Sequence, residues 1–197
     1  MDAALLSLVT GSGWASGLRV YLVALALGAA GRLGWVEGVP EVLTSWPVLL
    51  VVGALAVVEE VADKVPWLDS AWDAVHTVVR PLGAAAIAWL LTGELDTALQ
   101  ASSSGGAGAL ALASHGAKAS LRGAINASPE PGSNLLASLA EDGLVLAVLW
   151  LAVTNPVVAL VVVAILLVAG VAAALAVLRR VRAWRARRAA QRQQEPR

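Results

Sequence analysis

Apolar stretches of helix-spanning length recur along this chain, and the last of them, Val157 to Leu178, contains no charged residue at all. A membrane-crossing helix needs about 20 mostly apolar residues. By that measure the sequence predicts six spans, at about Ala3–Ala30, Glu41–Val65, Leu68–Thr92, Ala107–Ile125, Asn134–Val153 and Val157–Leu178. The expected fold class is all-α, a polytopic transmembrane helix bundle. Composition agrees: 58% of residues are hydrophobic and 14% charged, against about 25% charged in a soluble domain. Too few charges remain to coat a water-facing surface, which excludes an ordinary soluble domain, a disordered chain and a nucleic-acid binder. With no Cys, disulfides, thiolate metal sites and Cys nucleophiles are excluded too.

Residues 1–178 read as one transmembrane domain and 179–197 as a basic tail. Eight of the 14 basic residues fall in that tail. Because Lys and Arg favour the cytoplasmic side, the tail is expected inside. Six spans then put the N-terminus inside as well, with the acidic Gly93–Gly108 segment, read as a loop, outside. The expected location is a bacterial cytoplasmic membrane. Gly11, Gly13 and Gly17 interrupt the first span. In a membrane such glycines permit close helix contact or break a helix that lines a cavity. Two small-residue-rich helices, each followed by a Pro-containing loop, an acid-bearing helix and a further span, suggest a 3+3 inverted repeat, a common transporter plan.

Ionisable residues inside spans are costly and point to function by default. Their spacing here follows the helical period. Asp69, Asp73, His76 and Arg80 share one face of the third span; His115, Lys118, Arg122 and Asn126 share one face of the fourth. Glu59 with Asp63, and Glu60 with Lys64, occupy neighbouring faces of the second, and Glu141 and Asp142 lie on one side of the fifth. Turning all four stripes inward is the economical arrangement. Seven acids (Glu59, Glu60, Asp63, Asp69, Asp73, Glu141, Asp142) then face four fixed bases (Lys64, Arg80, Lys118, Arg122). The surplus fits a proton or cation pathway, because unpaired buried charge is not tolerated.

Several short motifs carry a resemblance. They are Thr10-Gly-Ser-Gly-Trp-Ala-Ser-Gly-Leu18, Glu60-Val-Ala-Asp-Lys-Val-Pro66, Trp72-Asp-Ala-Val-His-Thr77 with Arg80-Pro81, His115-Gly-Ala-Lys118, Asn126-Ala-Ser-Pro-Glu-Pro131 with Asn134, and Glu141-Asp142. Over residues 8–160 the chain resembles an uncharacterised membrane family, domain of unknown function 4126. That resemblance implies a multi-span membrane protein and brings no activity with it.

Three functions from different classes compete. The first is a small transporter or channel for an ion or small polar solute, using the buried acid, His and basic groups. The second is a structural or assembly protein whose polar stripes pair helices. The third is a membrane-embedded lipid-phosphate enzyme, with Asp63, Asp69, Asp73 and His76 around a divalent metal and Arg80, Lys118 and Arg122 on phosphate. A water-filled cavity favours the first, a dry paired network the second, and three carboxylates around a metal the third. No organic cofactor is expected; protons or a divalent cation are the candidates. Expected partners are the bilayer, anionic lipid at the Arg-rich tail, the transported solute or ion, and a second copy in a homo-oligomer.

Overall fold

The computed structural model describes residues 1–126 and 131–194, and within them the chain is helical with short turns. The helices are α1 (Ala3–Arg32), α2 (Glu41–Thr44), α3 (Trp46–Ala62), α4 (Pro66–Leu91), α5 (Thr97–Asn126), α6 (Pro131–Thr154) and α7 (Pro156–Gln194). Their starts follow ordinary capping chemistry. Asp2 accepts a hydrogen bond from the Leu5 amide at 2.8 Å, and prolines open α3 and α4 where no N–H donor is needed. Part of the expected Asn126–Ser133 loop, residues 127–130, lies outside the described residues, as do residues 195–197 of the tail.

The bundle is apolar outside and charged inside. Leu50, Leu82, Trp150, Ile165 and Val168 are exposed, whereas Arg19, Glu59, Asp63, Arg80 and Lys118 are buried. Such an inversion suits a surface that meets lipid. Among the described residues four helices are long and apolar enough to cross a membrane, Ala3–Arg32, Trp67–Leu91, Leu135–Thr154 and Pro156–Arg188. This is an integral membrane protein with four helices that meet this measure where six spans were expected. The stretch α3 is a 17-residue helix, and α5 is diluted by His115, Lys118, Arg122 and its Ser and Gly residues. More consequentially, α1 does not run straight.

At Arg19 the backbone leaves the helical region, with φ −149° and ψ 81°, so α1 is two limbs joined at one residue. The first limb runs alongside α5 in the same direction: Gly13 packs on Ala107, Gly17 on Ala111 and Ser114, and Lys118 Nζ reaches the Leu18 carbonyl at 3.2 Å. The second limb runs opposite to α3, from Arg19 at Glu60 to Gly28 against Leu43 and Leu49. Strand-like alternation of the long helices fixes the sense. The antiparallel pair α4 and α5 is tied by Gln100 Nε2 to the Trp89 carbonyl (2.9 Å), by Ser104 Oγ to the Ala85 carbonyl (2.7 Å) and by Thr77 to His115 (3.1 Å). The turn at Asp63–Val65 makes α3 and α4 antiparallel in the same way. Hence α3 and α5 point one way and the two limbs of α1 point opposite ways. Helix α1 is a re-entrant hairpin whose ends both lie at the end of the bundle that holds the α4–α5 turn; Met1 and Ser103 meet there.

The glycine segment acts differently from the expected break. Helix α1 continues through Gly11, Gly13 and Gly17, which are buried against α6 and α5; the break falls at Arg19. A methyl group on Gly17 would collide with Ser114 Oγ and the Ala111 carbonyl. Gly17→Ala should therefore destabilise by about 1–3 kcal/mol, as overpacking does, read as a lowered melting temperature in detergent. An unchanged melting temperature would contradict the close packing. A second correction concerns Gly93–Gly108: the turn covers only the residues around Gly93–Asp96, and Ser102–Gly108 is helix. Small residues that read as a loop in water let α5 approach α4 closely here, with Gly108 facing the Pro81 carbonyl.

Met1 and the described end of α7 lie at opposite ends of the bundle. Antiparallel to α4 and α6, α7 leaves the α6–α7 turn at Asn155 and runs past α5, with Gly170 against Ala117. Its Arg-rich end, helical to Gln194, projects at the end opposite Met1. Both termini were expected on one side of the membrane; in the bundle Met1 and the described end of α7 are at opposite ends.

Candidate functional site

The vertex of α1 sits in a network of ion pairs drawn from four helices, α1, α3, α5 and α6. The Arg19 guanidinium, 2% exposed, lies 2.9 Å from Glu60 Oε2, 3.3 Å from Asp63 Oδ2 and 2.9 Å from Asp142 Oδ1. The contact to Asp142 is an ion pair without hydrogen-bond geometry. Ser138 Oγ accepts from Arg19 at 2.5 Å and donates to Glu60 Oε2 at 3.1 Å. Lys118 Nζ contacts Asp63 Oδ2 and Glu141 Oε2, each at 3.1 Å. Arg122 grips Glu141 through Nε (3.0 Å) and Nη2 (3.2 Å), and its Nη2 lies 3.5 Å from Asp63 Oδ2. Lys64, largely exposed, pairs with Glu60 at 3.0 Å.

A second group adjoins the first along α4 and α5. Arg80, 0% exposed, bridges Glu59 Oε1 and Asp73 Oδ1, both at 2.9 Å. Its Nη1 also lies 2.6 Å from His115 Nδ1. Arginine can only donate, so this nitrogen is the acceptor and His115 carries its proton on Nε2, which faces Thr77 Oγ1 and the Asp73 carbonyl at 3.1 Å. His76 has the other tautomer: Nδ1 faces the Trp72 carbonyl at 2.8 Å, so it donates there, and Nε2 accepts from the Tyr21 hydroxyl at 3.2 Å. The Trp72 ring stacks on His76, and Trp14 is buried.

Of the residues singled out from sequence, Glu59, Glu60, Asp63, Lys64, Asp73, Arg80, His115, Lys118, Arg122, Glu141 and Asp142 are joined by these contacts. Asp69 is buried nearby and lines a polar cleft of about 260 Å³ with Ser70, Asp73, Thr77 and Arg122. His76 stands beside the network on Tyr21. Asn126 ends α5, and its side chain lies outside the described residues. Arg19 was overlooked by sequence reasoning, although an arginine directly after the Thr10–Leu18 motif is itself the signal. Counting it, seven carboxylates face five cations. Around the vertex, Glu60, Asp63, Glu141 and Asp142 match Arg19, Lys64, Lys118 and Arg122 one for one. The surplus falls on Glu59, Asp69 and Asp73 around Arg80.

Among the described residues no group of three His, Asp or Glu side chains is placed to hold a metal ion. Three of the four groups named for a metal are committed otherwise: Asp63 to Lys118, Asp73 to Arg80, and His76 to Tyr21 and Trp72.

Buried charge at a re-entrant vertex, on the same motif residues that carry the sequence resemblance, is the setting for the family match. The chain belongs to the family described as Domain of unknown function (DUF4126), whose model matches residues 6–176. The match covers α1 through most of α7 and leaves the Arg-rich end outside. No curated protein and no solved structure matches the chain.

Proposed function

We propose that this member of the family carries a small cation, protons foremost, across the membrane around the vertex of α1. The observation that carries the reading is the reversal of α1 at Arg19 within the charged network. Non-helical backbone at membrane depth persists where it is buried in protein or lines a pathway, and broken helices form the ion and substrate sites of many transporters. Stability alone does not account for so many buried charges, since apolar replacements of buried ion pairs are often as stable or more so. The polar cleft at Asp69 and Asp73 offers an approach to the surplus carboxylates from the end of the bundle that bears the tail. In this reading five helices cross (α3 to α7) and α1 enters and returns. A 3+3 repeat has no part in it, because α5, the counterpart of α1, runs unbroken. The Arg-rich tail marks the cytoplasmic side and offers a surface for anionic lipid headgroups.

The assembly reading has an observation of its own: Arg19, Arg80, Lys118 and Arg122 each have a carboxylate within 3.5 Å. Flux separates the two. In vesicles loaded with a pH-sensitive dye and given a K⁺ diffusion potential, the reconstituted protein should speed proton entry at least about tenfold over empty vesicles. Glu59→Gln and Asp73→Asn should remove most of that rate while the protein still elutes as a folded species. Rates equal to empty vesicles for H⁺, Na⁺ and K⁺ alike would leave the assembly reading standing.

A further inference from the structure

We infer that the end of the first limb of α1 is a binding site for one monovalent cation, and that Lys118 fills it with its own ammonium group. Three oxygens converge on Lys118 Nζ: the Leu18 carbonyl at 3.2 Å, Asp63 Oδ2 at 3.1 Å and Glu141 Oε2 at 3.1 Å. One is the backbone carbonyl directly before the break at Arg19, and two are carboxylates from different helices. A carbonyl at a helix C-terminus beside two carboxylates is the oxygen-rich, partly negative setting in which broken membrane helices hold alkali ions. Here the occupant is tethered: the Lys118 and Asp63 side chains are fully buried, and Glu141 is partly exposed.

The charge balance defines the ligand. The ion pairs around the vertex are made by Arg19 from α1, Glu60 and Asp63 from α3 with Lys64 just beyond it, Lys118 and Arg122 from α5, and Glu141 and Asp142 from α6. Around the vertex four carboxylates meet four cations, so removing the Lys118 ammonium leaves a deficit of one positive charge, which a single monovalent ion restores. A divalent ion would overshoot, and a bulky quaternary cation would not fit between three oxygens drawn to one atom. Access exists as well. A cavity of about 420 Å³ among α5, α6 and α7 has Lys118, Arg122 and Glu141 in its wall along with Trp14, Leu144 and Leu166, so truncating Lys118 opens the site to that space. The tether has a consequence for transport that rests on the reading above: the native protein needs no alkali ion at this position and should work equally in Na⁺, K⁺ or choline.

The test is the thermal stability of purified Lys118→Ala in ammonium, Na⁺, K⁺ or choline chloride at equal ionic strength. Ammonium or an alkali ion should raise its melting temperature by about 3–6 °C at ten times half-saturation, relative to choline. The wild type should not respond. Lys118→Ala combined with Asp63→Asn removes one charge of each sign, so it should be stable in choline and indifferent to the salt. Where Lys118→Ala fails to fold, the double variant should still fold. The site is overturned if folded Lys118→Ala melts alike in all four salts, if the wild type responds as strongly, or if neither variant folds. Binding is read by melting and not by flux, so a protein that conducts nothing can still pass this test, and one that conducts can fail it.

Discussion

Replacing Arg19 by methionine should cost the protein most or all of its stability. The guanidinium is the hub at which α1, α3 and α6 are joined: Glu60, Asp63 and Asp142 are each within 3.3 Å, and Ser138 adds a hydrogen bond. Methionine matches much of the side chain's length and supplies none of its donors. It strands three carboxylates, of which Asp63 retains Lys118 and Glu60 retains Lys64, while among the described residues Asp142 has its ion pair with Arg19 alone. Removing one partner of a buried pair costs about 3–5 kcal/mol, against a total of roughly 5–15 kcal/mol. Detergent extracts should show little folded protein by size-exclusion, and any that survives should melt well below wild type. Arg19→Lys should fall between, because a point charge cannot face Glu60 and Asp142 on separate nitrogens. Arg19→Met with Asp142→Asn should recover part of the loss by restoring neutrality at the vertex. A wild-type melting curve for Arg19→Met would show that the network carries no stability.

The polar stripes were legible in the sequence because helical spacing is a strict rule. Asp69, Asp73, His76 and Arg80 recur at steps of three and four, and the structure buries all four. The same holds for His115, Lys118 and Arg122. Direction was not legible. An apolar helix that crosses and one that turns back bury the same side chains, so composition cannot separate them. The reversal occurs at a single residue with negative φ, where neither Gly nor Pro is required, and its cause is tertiary: carboxylates from α3 and α6 hold the Arg19 side chain at the vertex. The Ser102–Gly106 tract was misread for a related reason. Gly and Ser weaken helices in water, yet α5 runs through the tract, tied to α4 by Ser104 and packed closely just after it at Ala107 and Gly108. Charge pairing across helices could be anticipated in kind, from the nearness of Lys118 and Arg122 to one membrane side, but not partner by partner.

The reversal of α1 has an all-or-none consequence for topology. The chain has no Cys, so single cysteines can be placed in an otherwise native background. Ala3, Glu94 and Arg188 are exposed and mark the start of α1, the α4–α5 turn and the far end of α7. With α1 re-entrant, cysteines at Ala3→Cys and Glu94→Cys should react with an impermeant maleimide from one face of sealed vesicles, and Arg188→Cys from the other. The first limb, Ala3–Leu18, is roughly 24 Å long at 1.5 Å per residue, short of a hydrocarbon core of about 30 Å. It can reach its vertex without crossing. Charge favours the same arrangement. Segments at the N-terminal end of the bundle carry Asp2, Glu37, Glu41, Glu94 and Asp96 against Arg32 alone, while the opposite end holds Lys64 and the Arg-rich tail. By the positive-inside rule the expected result is labelling of Arg188→Cys from the cytoplasmic face and of Ala3→Cys from the other. If Ala3→Cys labels together with Arg188→Cys, α1 crosses the membrane, the vertex at Arg19 is an ordinary kink, and the re-entrant basis of the transport reading is lost.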